Sequence, residues 1–187
     1  MDELIEQENR GESPAAEDAT VEGDALARSL RRRTPFRSPA QRAGIGLLRA
    51  ADLFRRRLSR VAEAEEITLQ QFNVLRILRG AGAEGLPTLS VAERMIERTP
   101  GVTRLLDRLE SQGWVDRTRC QEDRRRVIAR ITDSGRALLR RIDEPLARAE
   151  DSAFEGLDSD RLETLGEILD EVRAGLERSE TELSDGD

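Results

Sequence analysis

Residues 99–131 read TPGVTRLLDRLESQGWVDRTRCQEDRRRVIARI, and the folding of this stretch decides the rest. Thr99 is a good helix N-cap, and Pro100 suits a first helical turn. Val102, Leu105, Leu106 and Leu109 recur at three- and four-residue steps, which predicts a buried helical stripe ending near Gln112. The other face carries Thr103, Arg104, Asp107 and Arg108. Gly113 falls where a helix C-terminus needs a left-handed residue. Trp114–Arg117 and Val127–Ile131 are β-prone and partly alternate. A polar loop of nine residues, Thr118 to Arg126, joins them. The expected unit is a short helix followed by a hairpin with an arginine-rich tip.

On the N-terminal side, Thr68 and Gln71 form a capping-box pattern. Leu69, Phe72, Leu75, Ile77 and Leu78 supply that helix's apolar stripe, and Gly80, Gly82 and Gly85 end it. Leu86-Pro87 suits a brief extended segment. A further helix is expected from about Thr88 to about Met95. Ser38-Pro39 starts a long helix to about Glu65, with Ile45, Leu48, Leu58 and Val61 at helical spacing. On the C-terminal side, Thr132 caps a helix striped by Leu138, Leu139, Ile142 and Leu146, in which Pro145 should introduce a kink. After Gly156, Leu162, Leu165, Ile168, Leu169, Val172 and Leu176 mark a final helix. Both long helices carry more apolar face than one chain of this size can cover.

The boundaries follow. Residues 1–37 are acidic, poor in apolar residues and expected to be a disordered extension. Residues 38–66 and 133–178 are expected to be dimerisation helices, and 67–132 a separate lobe between them. Residues 179–187 are expected to fray.

Charge points to a polyanion partner. Residues 25–142 hold 26 Arg against 13 acidic residues, although the whole chain carries a net charge of -7. An acidic total therefore conceals a basic middle. The single cysteine, Cys120, excludes an intramolecular disulfide, and without His no metal site is expected. No cofactor motif occurs, and Asp, Glu and Ser stand in no catalytic pattern, so no enzyme is expected. No apolar run is long enough to span a bilayer and Met1 opens no secretory signal, so a cytoplasmic protein without membrane contact is expected.

Two short helices, a tight turn and a hairpin make a winged helix-turn-helix. The fold class expected is mostly α with a small β-wing. The major groove admits one helix, whose first turns meet base edges. Gly101 and Pro100 keep that end small. Thr103 can meet a thymine methyl and Arg104 a guanine, with Arg108 one turn on. In the wing, Arg124, Arg125 and Arg126 can reach a narrow minor groove. Bland readings stand beside these. Arg104 can pair with Asp107, and a wing arginine can brace against Asp123 or Asp116. Trp114 reads as a core plug. Cys120 reads as a loop thiol, with a redox switch as the alternative.

TRLLDRLE, GWVDR, EDRRR and ITDSG, in this order within residues 85–135, resemble the MarR family of transcriptional regulators. The resemblance covers about Pro39 to Leu176. It implies a homodimer in which the first and last helices interleave, and the apolar stripes of those helices put Ile45, Leu48, Leu165, Leu169 and Val172 at the expected interface. It implies double-stranded DNA as partner, with recognition helices in successive major grooves of a pseudopalindrome. It implies a repressor released by a small-molecule effector, often aromatic, held between the dimer helices and the lobe. By position, Pro100, Gly101, Thr103 and Arg104 match groove-facing residues, and Asp123-Arg124-Arg125 match the wing motif. Cys120 stands where the family often has an acidic residue. The cysteine of the peroxide-sensing branch has no counterpart near the first helix. Two rivals remain at this point: a winged helix that binds protein, and an enzyme built on a carboxylate pair.

Overall fold

A computed structural model of the protein describes residues 23–96, 101–120 and 126–184. The elements run α1 (Ala25–Ser29), α2 (Pro39–Glu63), α3 (Leu69–Gly80), β1 (Leu86–Pro87), α4 (Thr88–Glu93), α5 (Val102–Ser111), β2 (Val115–Arg119), β3 (Val127–Ile131), α6 (Asp133–Ala153) and α7 (Ser159–Ser184). The chain divides into two compact units that part at Leu53. The first holds α1 and the opening turns of α2. The second holds the rest.

In the first unit, α1 lies within the stretch expected to be disordered, and corrects that expectation for residues 25–29. Asp24 accepts from the amides of Leu26 (2.8 Å) and Ala27 (3.2 Å), satisfying two of the orphan donors of a helix start. Its other oxygen accepts from Arg42 Nε at 2.5 Å. The guanidinium of Arg42 holds the Asp24 carboxyl below its usual range. Ser38 starts α2 as expected, its hydroxyl accepting from the Gln41 amide at 3.1 Å.

In the second unit, Thr68 and Gln71 form the capping box. The Thr68 hydroxyl accepts from Gln71 N (3.1 Å) and Gln71 Oε1 accepts from Thr68 N (2.9 Å). These bonds account for Gln71, the one polar residue buried among the described ones. The core joins Phe72, Val74, Leu75 and Leu78 of α3 to Leu106 and Leu109 of α5, Val115 and Ile131 of the sheet, and Leu138, Leu139 and Ile142 of α6. Trp114 packs against this core half-buried, at the junction of α5 and β2.

The sheet is antiparallel with order β1-β3-β2. Leu86-Pro87 pairs with Ile128 and Ala129, so the brief extended segment becomes the third strand of the wing. The second strand of the hairpin spans Val127–Ile131 as expected, while β2 runs past its expected end at Arg117 to Arg119, opposite Val127, which shortens the loop at the tip.

Thr132 caps α6, accepting from Gly135 N at 3.1 Å. Pro145, which has no N–H to donate, lies inside α6 without ending it. At the C-terminus α7 runs on to Ser184, correcting the expectation that the chain frays from residue 179. Glu177, Glu180 and Glu182 are good helix formers, and Arg173 pairs with both Asp170 and Glu177 one turn away on either side. None of its described residues is fully buried.

Candidate nucleic-acid interface

Helix α5 begins later than the Thr99 cap predicts. Its N-cap is Gly101, at φ 104°, a backbone conformation for which side chains with a Cβ are strained. The Gly101 carbonyl accepts from Arg104 N (2.9 Å) and Leu105 N (3.2 Å). A glycine cap has no side-chain oxygen, so the first amides of α5 are left open to another acceptor. Thr99 and Pro100 lie outside the described residues. The other end follows expectation. Gly113 has φ 72°, with its amide on Glu110 O (2.8 Å) and the Trp114 amide on Leu109 O (2.9 Å). Those two bonds are the Schellman arrangement.

Val102, Leu106 and Leu109 are buried and Leu105 is half-buried, which turns Thr103, Arg104, Asp107 and Arg108 outward, all four exposed. Among the described residues neither Arg104 nor Arg108 has an ion-pair partner. Asp107, the partner that the bland reading assigned to Arg104, is engaged elsewhere. It accepts from Arg117 Nη2 of β2 at 2.5 Å, and Glu110 accepts from Arg117 Nε (2.9 Å) and Nη2 (2.6 Å). The Glu110 carboxylate, then Asp107, raises the Arg117 pKa above its ordinary value against the opposing effect of burial. The Arg117 side chain keeps 19% of its exposure, so this clamp is partly shielded from water. It ties the wing to the exposed face of α5.

Sequence reasoning missed Arg117 and Glu110 as positioning residues. A signal was present: Asp107 and Glu110 stand three apart on one helical face, with an arginine seven residues past Glu110. Arg130 is likewise structural, donating to Thr118 Oγ1 (2.8 Å) and Ala83 O (3.0 Å). Asp116, expected as one brace for the wing, is exposed and holds no ion pair among the described residues.

Toward the tip of the wing, the Cys120 amide donates to Arg126 O at 2.9 Å, adding one bond beyond the β2–β3 ladder. Arg126 is exposed and Cys120 is a half-exposed free thiol. Asp123, Arg124 and Arg125 lie outside the described residues. Arg126, Thr103, Thr88 and Ser90 border one cleft of about 860 Å³ between α4, the start of α5 and the wing. Cations, hydroxyls and open amides around a single cleft suit phosphate oxygens. The hydroxyls of Thr88 and Ser90 were not singled out in the sequence, where they read as a helix start.

A second cleft, of about 440 Å³, opens between α2, α3 and α6. Phe54, Leu58, Phe72 and Leu146 line it with apolar surface, and Asn73 and Arg76 add polar groups. The Arg76 guanidinium lies 5.7 Å from the centroid of the Phe72 ring. Asn73 Nδ2 donates to Met95 Sδ at 3.7 Å, at the end of the described run that leads toward α5.

A family model described as the MarR family matches residues 67–127. The HTH-type transcriptional regulator FarR of Neisseria gonorrhoeae is 28% identical over 138 residues, 74% of this chain and 93% of FarR. The crystal structure of a MarR transcription factor from Planctomyces limnophilus is 35% identical, with a TM-score of 0.57, covering 73% of this chain and 98% of that one. Sco3205, a MarR family transcriptional regulator from Streptomyces coelicolor solved in complex with DNA, is 28% identical with a TM-score of 0.67, covering 78% of this chain and 93% of Sco3205.

Proposed function

This chain belongs to the MarR family of DNA-binding transcriptional regulators, and on that premise we propose that it is a ligand-responsive repressor that binds a pseudopalindromic operator as a homodimer. The observation that carries the reading is the division of labour on α5. Arg117 occupies Asp107 and Glu110, and leaves the guanidinium groups of Arg104 and Arg108 exposed with no ion-pair partner among the described residues. Arg104 then reads a base edge from the first turn of α5, with Thr103 beside it. Arg108 contacts the next position or its phosphate. Thr99, Pro100 and Gly101 let the backbone approach the groove. Arg124, Arg125 and Arg126 carry the wing contact, with Asp123 as its brace.

Residues 67–132 serve as the DNA-binding lobe, and 38–66 with 133–178 as the dimerisation helices. The support is the apolar surface left uncovered. Leu48 is 71% exposed on α2, and Ile168, Leu169, Val172 and Leu176 are 40% to 61% exposed on α7. Five further residues, Leu47, Leu53, Leu89, Ile96 and Leu162, are exposed large hydrophobics, three of them on the same two helices. Together with half-buried Ile45 and Leu165, these stripes form the interface between two copies.

The effector site is the cleft lined by Phe54, Leu58, Phe72 and Arg76. Two arginines, Arg55 and Arg76, stand in the lining beside Glu63 and Glu150, and the Arg76 cation over the Phe72 ring between apolar walls suits a planar aromatic acid. Such a ligand would touch α2, α3 and α6 at once, and release DNA by favouring a dimer geometry with the wrong spacing between lobes.

In vitro selection of bound duplexes tests the reading. The expected result is a two-fold-symmetric motif with half-sites about 10 bp apart. Recovery of an unsymmetrical motif, or of none, would overturn the dimeric operator. Salicylate, used as the probe acid, is expected to shift binding of the selected duplex for the parent and not for Arg76→Ala.

A further inference from the structure

Residues 25–51 contain seven arginines and no Asp or Glu. The structure sorts these arginines. Arg42 pairs with Asp24 at 2.5 Å and Arg49 lies 3.7 Å from Asp52. Arg32 folds back, its guanidinium 4.6 Å from the Phe36 ring centroid, and donates to Thr34 O (3.2 Å) and Pro35 O (3.3 Å). Arg28 is also engaged. Arg31, Arg33 and Arg37 remain exposed, with no ion-pair partner among the described residues.

The backbone that carries these three is held in place. Asp24 caps α1 and binds Arg42 of α2, which ties the two helices together. Arg31 takes a left-handed conformation, φ 51°, at the end of α1, and the Arg32 amide bonds back to Ala27 O at 3.0 Å. The Arg37 amide donates to Gln41 Oε1 at 2.7 Å, at the entrance to α2. A tethered turn thus presents three like charges to solvent, in a protein with 38 carboxylates available for pairing.

We propose that Arg31, Arg33 and Arg37 form a second DNA contact, separate from the winged lobe, which binds backbone phosphates flanking the operator and reads no sequence. DNA fits this surface better than a lipid membrane does. A membrane-lying helix needs an apolar face, whereas α1 has five residues and the nearby Phe36 is covered by Arg32. A turn cannot enter the major groove as a helix does, so the contact is with phosphate. The competing occupant is internal. Residues 1–22 carry eight acids and one Arg, and could neutralise the turn before DNA arrives.

The test uses the full chain and a duplex recovered by selection, with and without about 10 flanking base pairs on each side. Binding is titrated by fluorescence anisotropy across a salt series. For Arg31→Ala/Arg33→Ala/Arg37→Ala, the slope of log K against log salt on the flanked duplex should become shallower by about 2–3 per bound subunit. On the trimmed duplex the variant should match the parent, and the preferred motif should not change. Lys at the same three positions should restore the slope, because phosphate requires charge and not the guanidinium fork. An unchanged slope on the flanked duplex would overturn the proposal, and would mean that the acidic leader or solvent satisfies the turn. So would loss of binding to anionic vesicles in place of DNA. If selection with the parent recovered no duplex at all, the DNA reading of the lobe would fall as well, which separates the two failures.

Discussion

Phe72, Leu75 and Leu78 of α3 and Leu106 and Leu109 of α5 are at most 2% exposed, whereas Ile168, Leu169, Val172 and Leu176 of α7 are 40% to 61% exposed. Both sets repeat at helical spacing, and both would be read as buried from the period alone. The difference lies in what surrounds them. The helices of the lobe close on one another, on the wing and on α6, so the lobe is complete within one chain. Helix α7 presents its stripe outward. One region therefore reports how the chain folds, and the other how chains would assemble.

Four measurements would break or sharpen that contrast. The largest effect is expected inside the lobe. Leu106→Ala should lower unfolding free energy by about 2–5 kcal/mol in a denaturant titration, since a cavity would open among close-packed neighbours. A loss below about 0.5 kcal/mol would show that the lobe is not the closed core described. On α7, Leu169→Asp with Val172→Asp should split the proposed dimer by light scattering and weaken operator binding about 100-fold, as two linked half-site contacts become independent. A variant that remained dimeric would remove the α7 stripe from the interface.

Within the lobe, the arginines repeat the contrast on a smaller scale. Arg104→Ala should cost roughly 1–3 kcal/mol and relax preference at one base position per half-site. Equal weakening on all sequences would make Arg104 a phosphate contact. Arg117→Ala should have the smallest effect. Its partners keep 53% (Asp107) and 40% (Glu110) side-chain exposure, so release of the wing should weaken binding by about 1 kcal/mol without changing the preferred motif. A changed motif would show that Arg117 shapes the reading surface directly.

Much of this was legible from residue order. The Thr68–Gln71 box, the Gly113 terminator, the Thr132 cap and the outward face of α5 all depend on neighbours within about five positions, where local bonding leaves a pattern in the chain. Less local features escaped. The N-cap moved from Thr99 to Gly101 because a left-handed glycine sets the turn into α5. Leu86-Pro87 became a strand because β3, over forty residues later, offered an open edge. The one-turn helix at Ala25–Ser29 has a local Asp24 cap, but the tie from Asp24 to Arg42, 18 residues away, left no pattern in the chain.

Periodicity and capping chemistry were thus enough to specify a winged helix-turn-helix between two long helices, and to mark its basic face. They could not sort the arginines. Arg104 and Arg117 look alike in a chain whose 31 basic residues are all arginine. Folding brings Arg117 within hydrogen-bonding distance of two carboxylates and leaves Arg104 facing outward. A guanidinium pairs with whatever carboxylate lies a few ångströms away, and that proximity comes from how α5 and β2 pack, which no local repeat encodes.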